Sequence, residues 1–142
     1  MRQRAAILRL LDANANRALE GLRVCEEVVR FHGHSPRHFR RMRTLRHATA
    51  QAIRLLPVAR AALLHARDSR RDVGRSAVAA RIGSLERLLV INFQRAKESL
   101  RTLEECSRLI APRRAAAFQR LRFRVYEAER DLLLSVAPLR HR

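Results

Sequence analysis

Residues 14–30 read Asn14-Ala15-Asn16-Arg17-Ala18-Leu19-Glu20-Gly21-Leu22-Arg23-Val24-Cys25-Glu26-Glu27-Val28-Val29-Arg30, and residues 92–108 read Asn92-Phe93-Gln94-Arg95-Ala96-Lys97-Glu98-Ser99-Leu100-Arg101-Thr102-Leu103-Glu104-Glu105-Cys106-Ser107-Arg108. At an offset of 78 residues, from Asn14 to Asn92, the two stretches repeat Asn, Arg, Ala, Glu, Leu, Arg, Glu, Glu and Arg in register. In the first stretch Ala15, Ala18, Leu22, Cys25 and Val29 fall on one stripe at 100° per residue. Asn16, Glu20, Arg23, Glu27 and Arg30 fall on the opposite side. Both stretches are therefore helices, and the chain is a duplication. Packing preserves apolar positions, yet most of the recurring residues are polar or charged, so the repeat points to a site.

The rest of the chain fits around these two helices. The first is expected over about residues 13–31, with Asp12 as N-cap and Gly33 as its stop, although Leu11 continues the stripe backwards. Ser35-Pro36, a cap followed by proline at the first helical position, opens the second helix, which runs to about Leu56. Its apolar positions are Phe39, Met42, Ile53 and Leu56, interrupted by Arg46 and Thr49. Pro57 kinks it or begins a segment that runs to about Ala66. Arg67 to Arg75 is polar, contains Gly74, and reads as a loop, with a short helix or turn up to Ile82. The third helix starts at Gly83-Ser84 and ends near Ile110. The fourth runs from Pro112 to about Val136, ahead of Pro138, on Phe118, Leu121, Val125, Ala128 and Leu132. The expectation is an all-α single domain over 1–142, a four-helix bundle of two tandem hairpins related by a pseudo-two-fold axis. The first repeat covers about 12–66, the loop 67–82 and the second repeat about 84–137.

Composition agrees: Gly and Pro number 4 each and aromatics are only 4%. The formal net charge of +18 has two readings, because Lys97 is the only lysine. Arginine enrichment follows from codon bias in a GC-rich genome, or the charge serves a polyanion such as nucleotide phosphates, nucleic acid or an anionic membrane. No run reaches membrane-spanning length, and no signal peptide follows Met1, so the cytoplasm is the expected location. Both cysteines, Cys25 and Cys106, read as free core thiols.

Familiar catalytic signatures are missing. There is no glycine-rich loop ending in Lys-Ser or Lys-Thr, and no Glu-x-x-His or His-Glu-x-x-His. The histidines, including His34, His38 and His141, have no ligand-like pairing, and Ser69 and Ser84 have no His/Asp partner. Three constellations remain. The repeated helix faces carry Glu and Arg at i,i+3 and i,i+4, either a solvated ladder or a site. Asn14 and Asn92 face inward, where a carboxamide needs a partner. Arg46 and Arg124, with Arg43 and Arg122 nearby, lie on the core side, where arginines either snorkel or converge on a phosphorylated ligand. In the loop, Asp68 and Asp72 stand among Arg67, Arg71 and Arg75, as Mg²⁺ ligands beside phosphates or as a solvated linker.

Asp12-Ala13-Asn14-x-Asn16-Arg17-Ala18-x-Glu20-Gly21-Leu22-Arg23-x-x-Glu26, Leu45-Arg46-His47, Ala66-Arg67-Asp68-Ser69 with Asp72-Val73-Gly74, and Asn92-Phe93-x-Arg95-Ala96-x-Glu98-Ser99-Leu100-Arg101-x-Leu103-Glu104-Glu105 together resemble a small helical family of thiamine biosynthesis. That family comprises hydroxymethylpyrimidine phosphate kinases, often fused ahead of a thiamine phosphate synthase barrel. The motifs span about residues 7–130. The loop departs from the family at Arg70-Arg71, where an acidic residue and glycine are commoner. The resemblance implies transfer of the ATP γ-phosphoryl group to hydroxymethylpyrimidine phosphate, with Mg²⁺ and ATP as cofactors. For that reaction Arg23, Arg46 and Arg101 are expected at the chemistry. Asn14, Arg17, Glu20, Arg43, Arg67, Asn92, Arg95 and Glu98 then hold the substrates, with Asp68 and Asp72 on the metal. The repeated faces form two sites, converge on one, or align across a homodimer. No barrel follows residue 142, so the chain works alone, is a piece of a fusion, or meets a separate synthase. A non-catalytic partner domain of the synthase is the alternative. A basic nucleic-acid module is a weaker one, since neither a helix-turn-helix nor a stacking platform is present.

Overall fold

The computed structural model describes residues 2–33 and 35–136. Pro138, His34, His141 and position 137 at the end of the second repeat lie outside them. Among the described residues every regular element is helical. In chain order these are α1 (Arg2–Val28), extended by one wider π-helical turn over Val29–Gly33, then α2 (Pro36–Arg54), α3 (Arg60–Ala66), α4 (Leu85–Ile110) and α5 (Pro112–Val136). No helix among the described residues is long and apolar enough to cross a membrane.

The stop and start signals act as their chemistry requires. Ser35 Oγ accepts from His38 N at 3.3 Å, and Ser84 Oγ accepts from Arg87 N at 3.1 Å, so α2 and α4 begin on side-chain caps. Proline stands first in α2 and α5, where its missing N–H costs nothing. Three boundaries differ from the sequence reading. Asp12 is not an N-cap: Leu8 and Leu11 are buried, α1 starts a full ten residues earlier at Arg2, and Asp12 lies mid-helix. α2 ends at Arg54, with Leu55 as its cap, just ahead of Pro57. The stretch up to Ile82 holds a 3-10 turn at Ser69–Arg71 and a turn over 73–76, and then runs on as exposed coil with no helix.

α1 packs on α2 and α4, and α5 packs on α4 and α2, so the four long helices form a closed ring of contacts. α3 lies against α1. The core between them holds Leu11, Ala18, Leu22 and Cys25 from α1, and Phe93, Leu100 and Leu103 from α4. Met42, Leu45 and Ala52 complete it from α2, with Phe118, Leu121 and Val125 from α5. α2 is rolled slightly from its expected stripe: Leu45 is buried, whereas Phe39 and Ile53 are only partly so. Thr49 enters the core because its hydroxyl is satisfied on its own helix, donating to Leu45 O at 2.8 Å.

Ion pairs link the helices at the rim. Arg41 Nη1 stands 2.6 Å from Asp131 Oδ2, joining α2 to α5. The hydrogen bond and charge of Arg41 hold the Asp131 carboxyl below its ordinary value of 3.8. Such a group stabilises the fold fully above its unfolded pKa, and the contribution is lost as pH falls through the lower folded value. Asp131→Asn should therefore lower the urea midpoint at pH 6. The difference from the parent should vanish at pH values below the folded pKa of Asp131; an unchanged difference there would mean that the pair is not its source.

A cleft between the repeated helices

Gly21 sets how closely the repeats approach. A Cβ at this position would lie 3.0 Å from the Asn92 carbonyl oxygen and 3.6 Å from the Ala96 Cβ, so α1 and α4 cross with backbone nearly touching backbone. Only a residue without a side chain fits there unless the neighbours give way. Around that crossing the two helices diverge into a cleft of about 620 Å³. α1 lines it with Asn14, Arg17, Glu20 and Gly21. α4 lines it with Asn92, Arg95, Glu98 and Ser99, the residues in register with those four at the 78-residue offset. Val24 and Thr102, also in register, extend the wall. The repeated faces thus meet on one cleft.

The two asparagines behave alike. Asn14 donates Nδ2 to Leu10 O at 2.8 Å, and Asn92 donates Nδ2 to Leu88 O at 2.9 Å. Each is buried, and each carboxamide keeps its Oδ1 acceptor for another partner. Among the described residues, Arg17 and Arg95 have no ion-pair partner, and neither does Glu20. Glu98 accepts from Gln94 Nε2 at 2.9 Å.

A second cleft, of about 570 Å³, adjoins the first and shares Arg17 and Glu20 with it. The loop forms its far wall through Asp68, Ser69, Arg71 and Asp72, opposite Arg9, Asp12 and Asn16 of α1. α3 delivers this loop to α1, and Arg67 fastens it there. Arg67 Nε and Nη2 each stand 2.7 Å from an oxygen of Asp12, a bidentate clamp that also pushes the Arg67 pKa up. Asp72 Oδ1 accepts from Gly74 N at 2.8 Å, which folds the loop back on itself. Asp68 Oδ2 is 3.8 Å from Arg71 Nε, a loose contact.

Other arginines singled out in the sequence lie elsewhere. Arg23 bonds Glu27 at 3.1 Å and Glu26 at 3.2 Å, and Arg101 bonds Glu105 at 3.3 Å, so both belong to ladders along their own helices and line neither cleft. Arg46 makes a two-pronged bond, 3.2 Å on each prong, to the buried carboxylate of Glu26. Arg122 Nη2 stands 3.2 Å from Glu104 Oε1, a single contact that joins α5 to α4 as Arg46 joins α2 to α1. Arg43 and Arg124 are exposed and line neither cleft. The sequence reading missed Ser99 and Thr102 in the first cleft, and Arg9 in the second. Ser99 stands in register with Gly21, and two small residues at one register position signal a helix crossing.

Asp68 and Asp72 sit on one wall with Arg9, Arg17 and Arg71 in reach of the same space. No group of three or more His, Cys, Asp or Glu side chains among the described residues is placed to hold an ion by itself. Mg²⁺ generally takes one or two carboxylates and completes its shell with phosphate oxygens and water, so the donor set fits a metal that arrives with a nucleotide.

The cysteines lie outside both clefts. Cys25 is fully buried, with its thiol pushed up by burial, and Cys106 is raised for the same reason. A thiol-titrating reagent is expected to label neither at neutral pH in the folded protein and both in denaturant; rapid labelling of the native protein would contradict this packing.

Comparison with known proteins bears on the whole of this arrangement. The model of the ThiD2 family matches residues 9–131, which include every residue lining the two clefts. The chain belongs to the ThiD2 family. A thiamine-phosphate synthase of Synechocystis is 40% identical over 131 residues, covering 90% of this chain and 36% of the relative. A thiamine-phosphate synthase of Rhodopirellula baltica is 37% identical over 139 residues, covering 96% of the chain and 36% of the relative. One from a Nostoc species is 37% identical over 127 residues, covering 89% and 35%. The chain thus spans about a third of the length of these curated relatives. No solved structure gives a significant match.

Proposed function

We propose that this chain is a kinase of thiamine biosynthesis that moves the γ-phosphoryl group of ATP onto hydroxymethylpyrimidine phosphate, working with Mg²⁺ in the cytoplasm. Membership of the ThiD2 family and the thiamine-phosphate synthases among its relatives support the pathway. One observation carries the reaction type: the repeated faces meet on a single cleft in which Arg17 and Arg95 have no carboxylate partner. Unpaired guanidiniums in a concave site suit phosphate.

Phosphoryl transfer needs charge neutralisation and alignment more than covalent help. The phosphate-binding set narrows to Arg17 and Arg95, joined by Arg9 and Arg71. Arg46, Arg23 and Arg101 are positioning residues that hold Glu26, Glu27 and Glu105, and Arg67 positions the loop through Asp12. The metal held by Asp68 and Asp72 would supply neutralisation of the triphosphate. Asn14 and Asn92 offer acceptors to an amino group on the pyrimidine, and Glu20 and Glu98 line the same cleft without pairing to Arg17 or Arg95. The acceptor is already an anionic phosphate, so no strong general base is required.

The two-hairpin reading also belongs to this proposal. Pro36 and Pro112 stand 76 residues apart, and at that spacing the buried Met42, Leu45, Ala52 and Leu56 meet the buried Phe118, Leu121, Ala128 and Leu132. A pseudo-two-fold four-helix bundle accounts for that correspondence, and for the shared Arg–Glu pairs. Two roughly equivalent half-sites would then have specialised.

The test is to mix the protein with ATP, Mg²⁺ and hydroxymethylpyrimidine phosphate and to look for the pyrophosphate by mass spectrometry. Product that disappears without Mg²⁺ is the expected result. No product beside an active control kinase would transfer the weight to a non-catalytic domain that docks on a thiamine phosphate synthase, alone or as a homodimer.

A further inference from the structure

We infer that the two adjoining clefts divide the substrates: the loop-side cleft takes the metal-bound triphosphate, the interhelical cleft takes the phosphorylated pyrimidine, and Arg17 stands where they meet. This rests on the kinase reading and assigns each ligand within it.

The linings differ in chemistry. In the loop-side cleft the clamp with Arg67 occupies the Asp12 carboxylate, while Asp68 is held only by a loose contact to Arg71 and Asp72 uses one oxygen on Gly74 N, so each keeps an oxygen as an anionic donor. Arg9 and Arg71 supply cations beside them. Anionic donors for a divalent ion interleaved with guanidiniums suit a magnesium–triphosphate, which is cation and polyanion at once. The interhelical cleft is mostly neutral at its base. Asn14, Asn92, Ser99 and Thr102 surround Val24, which gives the cleft its apolar surface, while Gly21 marks the crossing where α4 closes against α1. A few placed polar groups over an apolar surface suit a flat heteroaromatic ring with an amino substituent. Arg95, found in this cleft alone, is the cation for its phosphate.

Arg17 and Glu20 line both clefts. The reacting atoms have to touch, so the shared residues mark the place of transfer. There an acceptor phosphate oxygen attacks the γ-phosphorus, and the bond from that phosphorus to the β,γ-bridging oxygen breaks. The electron pair leaves with ADP and no proton needs to move. Arg17 is positioned to bridge donor and acceptor phosphates during that step.

Calorimetric titration of the full chain with Mg²⁺ and the β,γ-imido analogue of ATP, and separately with hydroxymethylpyrimidine phosphate, tests the division. Arg71→Ala should raise the Kd of the nucleotide analogue by about tenfold, the loss of one charge-assisted contact, and leave the pyrimidine phosphate unchanged. Arg95→Ala should do the reverse. Thr102→Phe, which fills the interhelical cleft without altering charge, should block the pyrimidine phosphate and spare the nucleotide. Circular dichroism of each variant checks that it folds. Arg71→Ala and Arg95→Ala weakening the same ligand, or a crossed pattern, overturns the division even where the parent makes product. A parent that binds both ligands in the expected pattern without forming product upholds the division and overturns the kinase reading; one that binds neither overturns both.

Discussion

Arg17→Ala is expected to lower kcat by about 10²–10³-fold, the usual cost of removing one preorganised donor to developing transition-state charge. The effect on either substrate's Kd should be far smaller. On the proposed kinase reading, a residue at the junction of two clefts would gain most of its contact energy while a phosphoryl group passes between them. Arg17→Lys should recover part of the loss, because an ammonium supplies the charge but cannot span two phosphates with a planar fork. Steady-state kinetics with each substrate varied in turn would check this. An unchanged kcat with a raised KM for one substrate alone would remove Arg17 from the transfer step. A loss mirrored by Arg23→Ala would be surprising, since that side chain lies along a ladder outside both clefts.

Phe118→Ala should cost about 3–5 kcal/mol of folding stability, the range for removing a fully buried aromatic side chain. Phe118 has no exposed surface and sits where α5 packs on α2 and α4. Its counterpart at the 76-residue spacing is Met42. Small domains retain only about 5–15 kcal/mol in total, so the variant should lose a large share of its stability. Urea denaturation followed by circular dichroism gives the number. A loss below about 1 kcal/mol would mean that the ring is not enclosed as described or that its neighbours collapse into the space.

The helices could be read from the chain because their punctuation is local. Ser35-Pro36, Gly83-Ser84 and Pro112 each satisfy or remove the backbone groups at a helix end without distant help. Asp12 misled because an aspartate ahead of an apolar stripe has the form of a cap. Its carboxylate is satisfied by Arg67, 55 residues away in sequence, and sequence spacing carries no trace of that clamp. The same limit governs the arginines. Repetition singled out residues on two faces of each helix, Arg17 and Arg95 in the cleft together with Arg23 and Arg101 outside it. It could not separate guanidiniums that find a carboxylate one turn away from those that find none, because a residue at i+4 lies within reach whichever way the side chain turns. Arg46 required knowing that Glu26 is buried opposite it. The loop aspartates were legible as a pair, but their nearness to Arg17 depends on α3 folding back over α1.

The stretch from Val73 to Gly83 is exposed throughout and links the part holding α1, α2 and α3 to the part holding α4 and α5, which meet mainly through α1 and α4. Chain continuity across it contributes little beyond keeping the halves at high local concentration. Cut between Ala79 and Ala80, the fragments carry one wall of the interhelical cleft each, and the loop-side cleft stays whole on the first. Neither half would form the interhelical cleft alone, so regained activity on mixing would report reassembly directly. The expected result is that the two fragments pair without the link, and failure to regain activity would show that the connection does more than hold them close.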